Sequence, residues 1–203
     1  MELKKFADKI IELKNADLKL RDDLIKTGNL GNTYNKKMAD LHIQNAKELE
    51  NIINLIGYPT IDKVGKLASD AAWLIIQHSI GLPHFMKKCA KMLEEAVLDN
   101  NANPRNLAYL TDRIATFEGK PQLYGTSFDW DENGEMNPKP YDNLKKVNLR
   151  RKSLGLNTIQ EQTLLMREQV KNEKQYPPKD LEKRKKEFDE WRRKVGWVSS
   201  TQP

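Results

Sequence analysis

KLASDAAWLIIQHS, residues 66–79, is the stretch that decides the fold. Its run 71–76 is unbroken apolar, and at 3.6 residues per turn those side chains point all round the axis. A helix of that kind is stable only with neighbours on several sides, so the rest of the chain must supply a helical jacket. The segment nevertheless ends on Gln77 and His78, an amide and an imidazole that both need partners once water is removed. A polar pair at the tip of the most apolar helix is the first pointer to a functional place.

Upstream of this helix, GYPT (57–60) and Gly65 break the chain. Before that break, residues 33–56 carry Met38, Leu41, Leu49, Ile52, Ile53 and Ile56 on one stripe, which predicts a second amphipathic helix. Asn45 lies on the same stripe, four residues after Leu41 and four before Leu49, so it is predicted to point inward. Leu3, Phe6, Ile10, Leu13, Leu20 and Leu24 make a helix over residues 3–26. Gly28 is its stop, and TGNLGNT (27–33) is a linker.

Downstream, IGLP ends the apolar helix and residues 83–98 form a fourth, with Phe85, Cys89, Met92, Leu93, Ala96 and Val97 inward. Asn103 and Pro104 are an N-cap and first-turn pair for a fifth helix that runs to Gly119 through Leu107, Leu110, Ile114 and Phe117. Past Gly119 the period changes: two short extended segments flank Asn133-Gly134, a dipeptide suited to a tight hairpin turn. Short charged helices are predicted over 145–154 and 158–175. After Pro177-Pro178 a last helix carries a narrow stripe of Leu181, Phe188, Trp191 and Val195. The fold class is therefore mainly α. A compact domain of about five helices with one small β-hairpin near 122–140 occupies 1–156, and a basic, charged helical C-terminal extension occupies 157–203.

The chain has 203 residues, 38% hydrophobic and 32% charged, which is enough to bury a sizeable core. One cysteine, Cys89, excludes an internal disulfide and a cysteine zinc cage. Charges interrupt the N-terminal apolar residues every few positions, and no stretch reads as a membrane span. A cytoplasmic protein with no membrane partner is expected. The net charge of +6 is uneven: residues 144–194 hold 16 Lys/Arg against 8 Asp/Glu, so the remainder is slightly acidic.

GxGxxG, Walker, GxSxG, HExxH and CxxC motifs are all missing. His42, His78 and His84 show no zinc-ligand spacing, so neither a metal nor another cofactor is expected, and His42 and His84 read as surface or rim groups. Cys89 on its apolar stripe is a small core residue. For His78 two readings stand together: an imidazole satisfying the last carbonyls of its helix, or an acid/base group at the edge of a cavity. Asn45 braces a neighbouring backbone or touches a ligand. In LTDRI (110–114), Asp112 lies opposite the apolar stripe and Arg113 on its flank. In GKPQLYGT (119–126), Gln122 and Tyr124 alternate along an extended loop shaped by Gly119, Pro121 and Gly125, which can grip a ligand or simply turn the chain.

Taken in order, GYPT, AAWLIIQH, AYLTDRI, EGKPQLYGT and RRKSLGL resemble an uncharacterised, mostly bacterial family known as a domain of unknown function, from about Leu41 to Leu156. The resemblance implies that Gln77, His78, Asp112, Arg113, Gln122, Tyr124, Gly125, Thr126 and Arg151 match the family's recurrent polar and glycine positions, and it implies no activity. This chain departs from the pattern at His42, where relatives tend to carry Asp, and at Met86 and Ser127, where they tend to carry Gln.

Three functions follow as expectations. In the first, a pocket for a small polar or anionic substrate uses His78 as acid/base, Asp112 as its orienting carboxylate or the partner of Arg113, and Arg113 or Arg151 as an anion clamp. Gln122, Tyr124 and the backbone at Gly125 and Thr126 hold an oxygen, which allows hydrolysis, proton transfer or elimination without a covalent nucleophile. The second keeps the pocket as a non-catalytic ligand- or peptide-binding module. The third gives the role to the tail. Nucleic acid is unlikely there because acids interleave its Lys and Arg, and a protein partner through 179–197 suits the aromatic stripe better.

Overall fold

The computed structural model describes residues 2–29 and 34–199. It is mainly α. The described residues form α1 (Glu2–Lys26), α2 (Lys36–Ile56), α3 (Ile61–His78), α4 (Pro83–Leu98), α5 (Pro104–Glu118), β1 (Phe128–Trp130), β2 (Met136–Pro138), α6 (Leu144–Ser153), α7 (Ile159–Asn172) and α8 (Leu181–Val195). Residues 30–33 of the predicted linker, including the expected start of the second helix, lie outside the described residues. The chain divides into two compact units, 1–107 and 108–203, whereas the sequence pattern placed a boundary at 156.

In the first unit α3 is the hub, packed on α1, α2 and α4. Its Ala68, Ala71, Ala72, Ile75 and Ile76 are buried against a core that includes Ile10, Leu13, Leu49, Ile52, Ile53, Cys89 and Leu93. Small alanines on α3 let its neighbours approach closely. α3 is kinked where Gly65 takes φ +78°, so the continuous helix begins just where the apolar run does. Caps fix the other starts. The Asn35 side chain accepts from the backbone N–H groups of Lys37 and Met38, and that of Asn103 accepts from the N–H of Arg105.

In the second unit the hairpin pairs Phe128 with Pro138 and Trp130 with Met136, antiparallel. Its turn is longer than the predicted two residues. The backbone bonds across from Asp131 to Glu135, and the Asp131 carboxylate accepts from the N–H groups of Asn133 and Glu135. β2 packs on α7, and α7 on α6. α8 lays Phe188 and Trp191 on Phe117, with ring centroids 5.9 and 5.6 Å apart, while Trp197 stacks on the same ring at 4.9 Å. Arg184 of α8 pairs with Asp129 of β1 at 2.8 Å.

Candidate functional site

Three helices of the first unit each turn one ionisable side chain into the same spot. On α1 the buried positions are Ile10, Leu13, Asp17 and Leu24, so Asp17 occupies an apolar stripe and is 1% exposed. On α2 the stripe runs Met38, His42, Asn45 and Leu49, and His42 is 8% exposed. His78 is the last residue of α3, with 22% of its side chain exposed. Asp17 Oδ2 lies 2.8 Å from His78 Nδ1 and 3.2 Å from His42 Nε2. The two imidazoles are 5.2 Å apart, centroid to centroid, and tilted by 41°. The Tyr34 hydroxyl reaches His42 Nδ1 at 2.7 Å, with the two rings stacked.

Burial acts to raise the Asp17 pKa, but the bonded ring of His78 and the nearby ring of His42 outweigh it, and the carboxyl is held well below the usual carboxylate range. Asp17 is therefore an anion at neutral pH. Its Oδ2 is shared by the two rings. Among the described residues its buried Oδ1 has no hydrogen-bond partner, and neither has His42 Nε2, though it lies close to Oδ2. These are buried groups with unused hydrogen-bonding capacity.

His78 is not needed to end its helix. Ser79 does that, its hydroxyl donating to the carbonyl of Ile75 and its N–H to that of Ile76. The carboxylate that orients His78 is Asp17, where the sequence nominated Asp112. His42, expected at the surface or rim, is buried, because it follows Met38 by one helical turn. His84 is exposed. The three histidines have no ligand spacing in sequence, yet His42, His78 and Asp17 bring donor atoms within 4.8 Å of one another, a group able to hold a metal ion. Asn45 is buried and donates its amide N–H to the Leu13 carbonyl at 3.1 Å, one turn before Asp17, bracing α1 against α2. Gln77 is buried and its Oε1 has no hydrogen-bond partner.

The remaining nominated residues belong to the second unit, where most of them build a loop. Asp112, fully buried, accepts from the N–H groups of Leu123, Tyr124 and Thr126 and from the Thr126 hydroxyl, at 2.8 to 3.2 Å. Burial pushes its carboxyl up, and those N–H donors oppose the shift. Gln122 donates to the carbonyls of Ser127 and Lys139 and accepts from the Ser127 N–H. Arg151 donates to the carbonyls of Tyr124, Gly125 and Asn157 and to the Asn157 side chain. Gly125 sits at φ +64°, and a Cβ there would overlap Ile159. Arg113 differs from these: its buried Nε has no hydrogen-bond partner among the described residues, and burial pulls its pKa down.

The model of a family of unknown function, DUF6624, matches residues 5–173, and the chain belongs to that family. The match takes in α1 with Asp17, and so extends beyond the 41–156 stretch of the resemblance. No curated protein and no solved structure matches the chain. Among the described residues no helix is long and apolar enough to cross a membrane.

Asp17 was missed in the sequence, although a signal existed: it follows Leu13 by four residues on the stripe of α1, the same spacing that singled out Asn45.

Proposed function

We propose that the Asp17–His42–His78 cluster is an acid/base centre acting on a small polar or anionic substrate by hydrolysis, proton transfer or elimination. The observation that carries the reading is the 2.8 Å bond between the buried, ionised Asp17 and the partly exposed His78. A carboxylate accepting the Nδ1 proton fixes the tautomer and leaves Nε2 as the basic nitrogen. That nitrogen can take a proton from water or a substrate hydroxyl and return it to a leaving group. Asp17 stabilises the imidazolium formed in between, and the Tyr34–His42 pair keeps the second ring in place.

The test is a panel of carboxylic, lactone and phosphate esters and amides, followed by variants on any hit. His78→Gln should lower kcat by about 10²–10⁴ with the melting temperature nearly unchanged, and Asp17→Asn should shift the acid limb of the pH–rate profile. Turnover that survives His78→Gln within a few-fold would remove His78 from the chemistry.

A second reading has its own support in Arg113. A desolvated guanidinium whose Nε has no hydrogen-bond partner among the described residues suits a carboxylate or phosphate ligand, and an anion-binding module needs no reaction. Thermal stabilisation by an anionic metabolite recovered unchanged, lost in Arg113→Gln, would favour it. Retention of the stabilisation in that variant would count against it.

A further inference from the structure

We infer that Asp17, His42 and His78 form a binding site for a divalent transition-metal ion of the zinc class. The inference goes beyond acid/base chemistry, since ion binding is a property of the cluster whether or not turnover is found.

The donor set is one carboxylate oxygen and two imidazole nitrogens, each from a different helix, all within 4.8 Å of one another. Ions of this class bind such donors at about 2.0–2.2 Å, which puts neighbouring ligand atoms roughly 3–3.5 Å apart. Oδ2 to Nδ1 of His78 is 2.8 Å and Oδ2 to Nε2 of His42 is 3.2 Å, so a small outward shift of one ring admits the ion. Nitrogen-rich sites of this kind favour zinc, cobalt or nickel over magnesium or calcium.

Independent support comes from what is left unpaired. Asp17 Oδ1 belongs to a side chain 1% exposed and has no partner, and His42 Nε2 faces the carboxylate without making a hydrogen bond. Buried polar atoms of this sort are costly unless something binds them. A cation between the carboxylate and the two rings takes up the His42 nitrogen, and a bidentate carboxylate brings Oδ1 onto it as well. The outer contact also fits. With Nε2 of His42 on the ion, its Nδ1 carries the proton and donates to the Tyr34 oxygen at 2.7 Å, the kind of support that orients metal-bound histidines. One carboxylate and two neutral imidazoles leave a net positive charge on a divalent ion. The remaining coordination position then suits water or an anionic ligand. An ion on Nδ1 of His78 displaces the proton that Asp17 now accepts, and that proton moves to Nε2 of the same ring; binding weakens at acid pH, where protons compete for the imidazoles.

The experiment uses the full chain, stripped with a chelator and titrated with cobalt(II) chloride and then zinc chloride. Cobalt should bind at about one ion per chain and give visible d–d bands that zinc abolishes. Asp17→Asn and His42→Gln should each weaken binding at least tenfold, whereas His84→Ala, at an exposed histidine, should leave it unchanged. Should either core variant unfold, His78→Gln at the more exposed ligand replaces it, with circular dichroism confirming its helicity. The inference is overturned if the folded wild-type chain takes up no stoichiometric cobalt or zinc, or if folded His78→Gln binds as well as wild type. Loss of binding with turnover retained would leave the acid/base reading standing alone, and binding without turnover would leave the metal site standing alone.

Discussion

Asp17 Oδ2 and His78 Nδ1, 61 residues apart in sequence, meet at 2.8 Å and tie the middle of the first helix to the end of the third. A buried carboxylate held there as an anion stabilises the fold only while it is ionised. Its folded pKa lies below the unfolded value of about 3.9, so the contribution is fully present above that value and is lost as pH falls through and below it. Asp17→Asn removes the dependence along with the charge. Urea unfolding at neutral pH should show a loss of about 2–4 kcal/mol in the variant. The gap between the two proteins should narrow steadily from about pH 5 downward. A gap that stayed constant over that range would mean that Asp17 has the same pKa in the folded and the unfolded chain.

Cys89 gives a separate measure of the first unit. It is fully buried, and burial pushes its thiol up to about 12. At pH 8 about one thiol in ten thousand is then a thiolate, and even that fraction is out of reach. An aromatic disulfide reagent should leave the native chain unlabelled over hours and label one site in urea. Labelling of the native chain within seconds would show that the packing around α4 opens readily.

The helices were legible because their signals are local: stripes at helical spacing, Asn-Pro at the start of α5, glycine after α1. The site was only half legible. His78 stood out because it ended an apolar run, and Asn45 because it interrupted one. Asp17 interrupts the stripe of α1 in the same way, and His42 that of α2, but the sequence reading passes over Asp17 and expects His42 at the surface or rim. Periodicity reports which face a residue takes, and says nothing about which distant helix that face meets. The loop residues illustrate the converse. Asp112, Gln122 and Arg151 have the chemistry of a site, and in the fold their polar atoms are bound to the backbone of 122–127 and to Asn157.

That loop makes the next prediction. Four donors converge on Asp112, three of them backbone N–H groups, and an amide cannot accept them all because half of its polar surface donates. Asp112→Asn should destabilise the second unit by about 2–4 kcal/mol. Gly125→Ala should do so by a similar amount, since it adds a methyl group where Ile159 already sits, at a φ that side chains rarely adopt. Trp fluorescence unfolding would measure both. A substitution costing under about 0.5 kcal/mol at either position would mean that the loop is held by something else.

The C-terminal helix makes the last prediction, because its aromatic stripe has an occupant within its own unit. Phe117 is 7% exposed and touches Phe188, Trp191 and Trp197, while Arg192 donates to the Phe117 carbonyl at 3.0 Å and so closes the end of α5. A patch already covered in this way does not need a partner to hide it, and the basic side chains of α8 are partly neutralised by Asp129, Glu132 and Asp189. Removing the ring with Phe117→Ala should cost about 3–5 kcal/mol, the value for a buried aromatic. The tryptophan emission should shift to the red. The helix should also come loose, so that trypsin cuts at the exposed Lys174 and Lys179 well before it attacks the rest of the chain. Equal cutting of wild type and variant at those lysines would show that α8 is held to the unit by its ion pairs and not by Phe117.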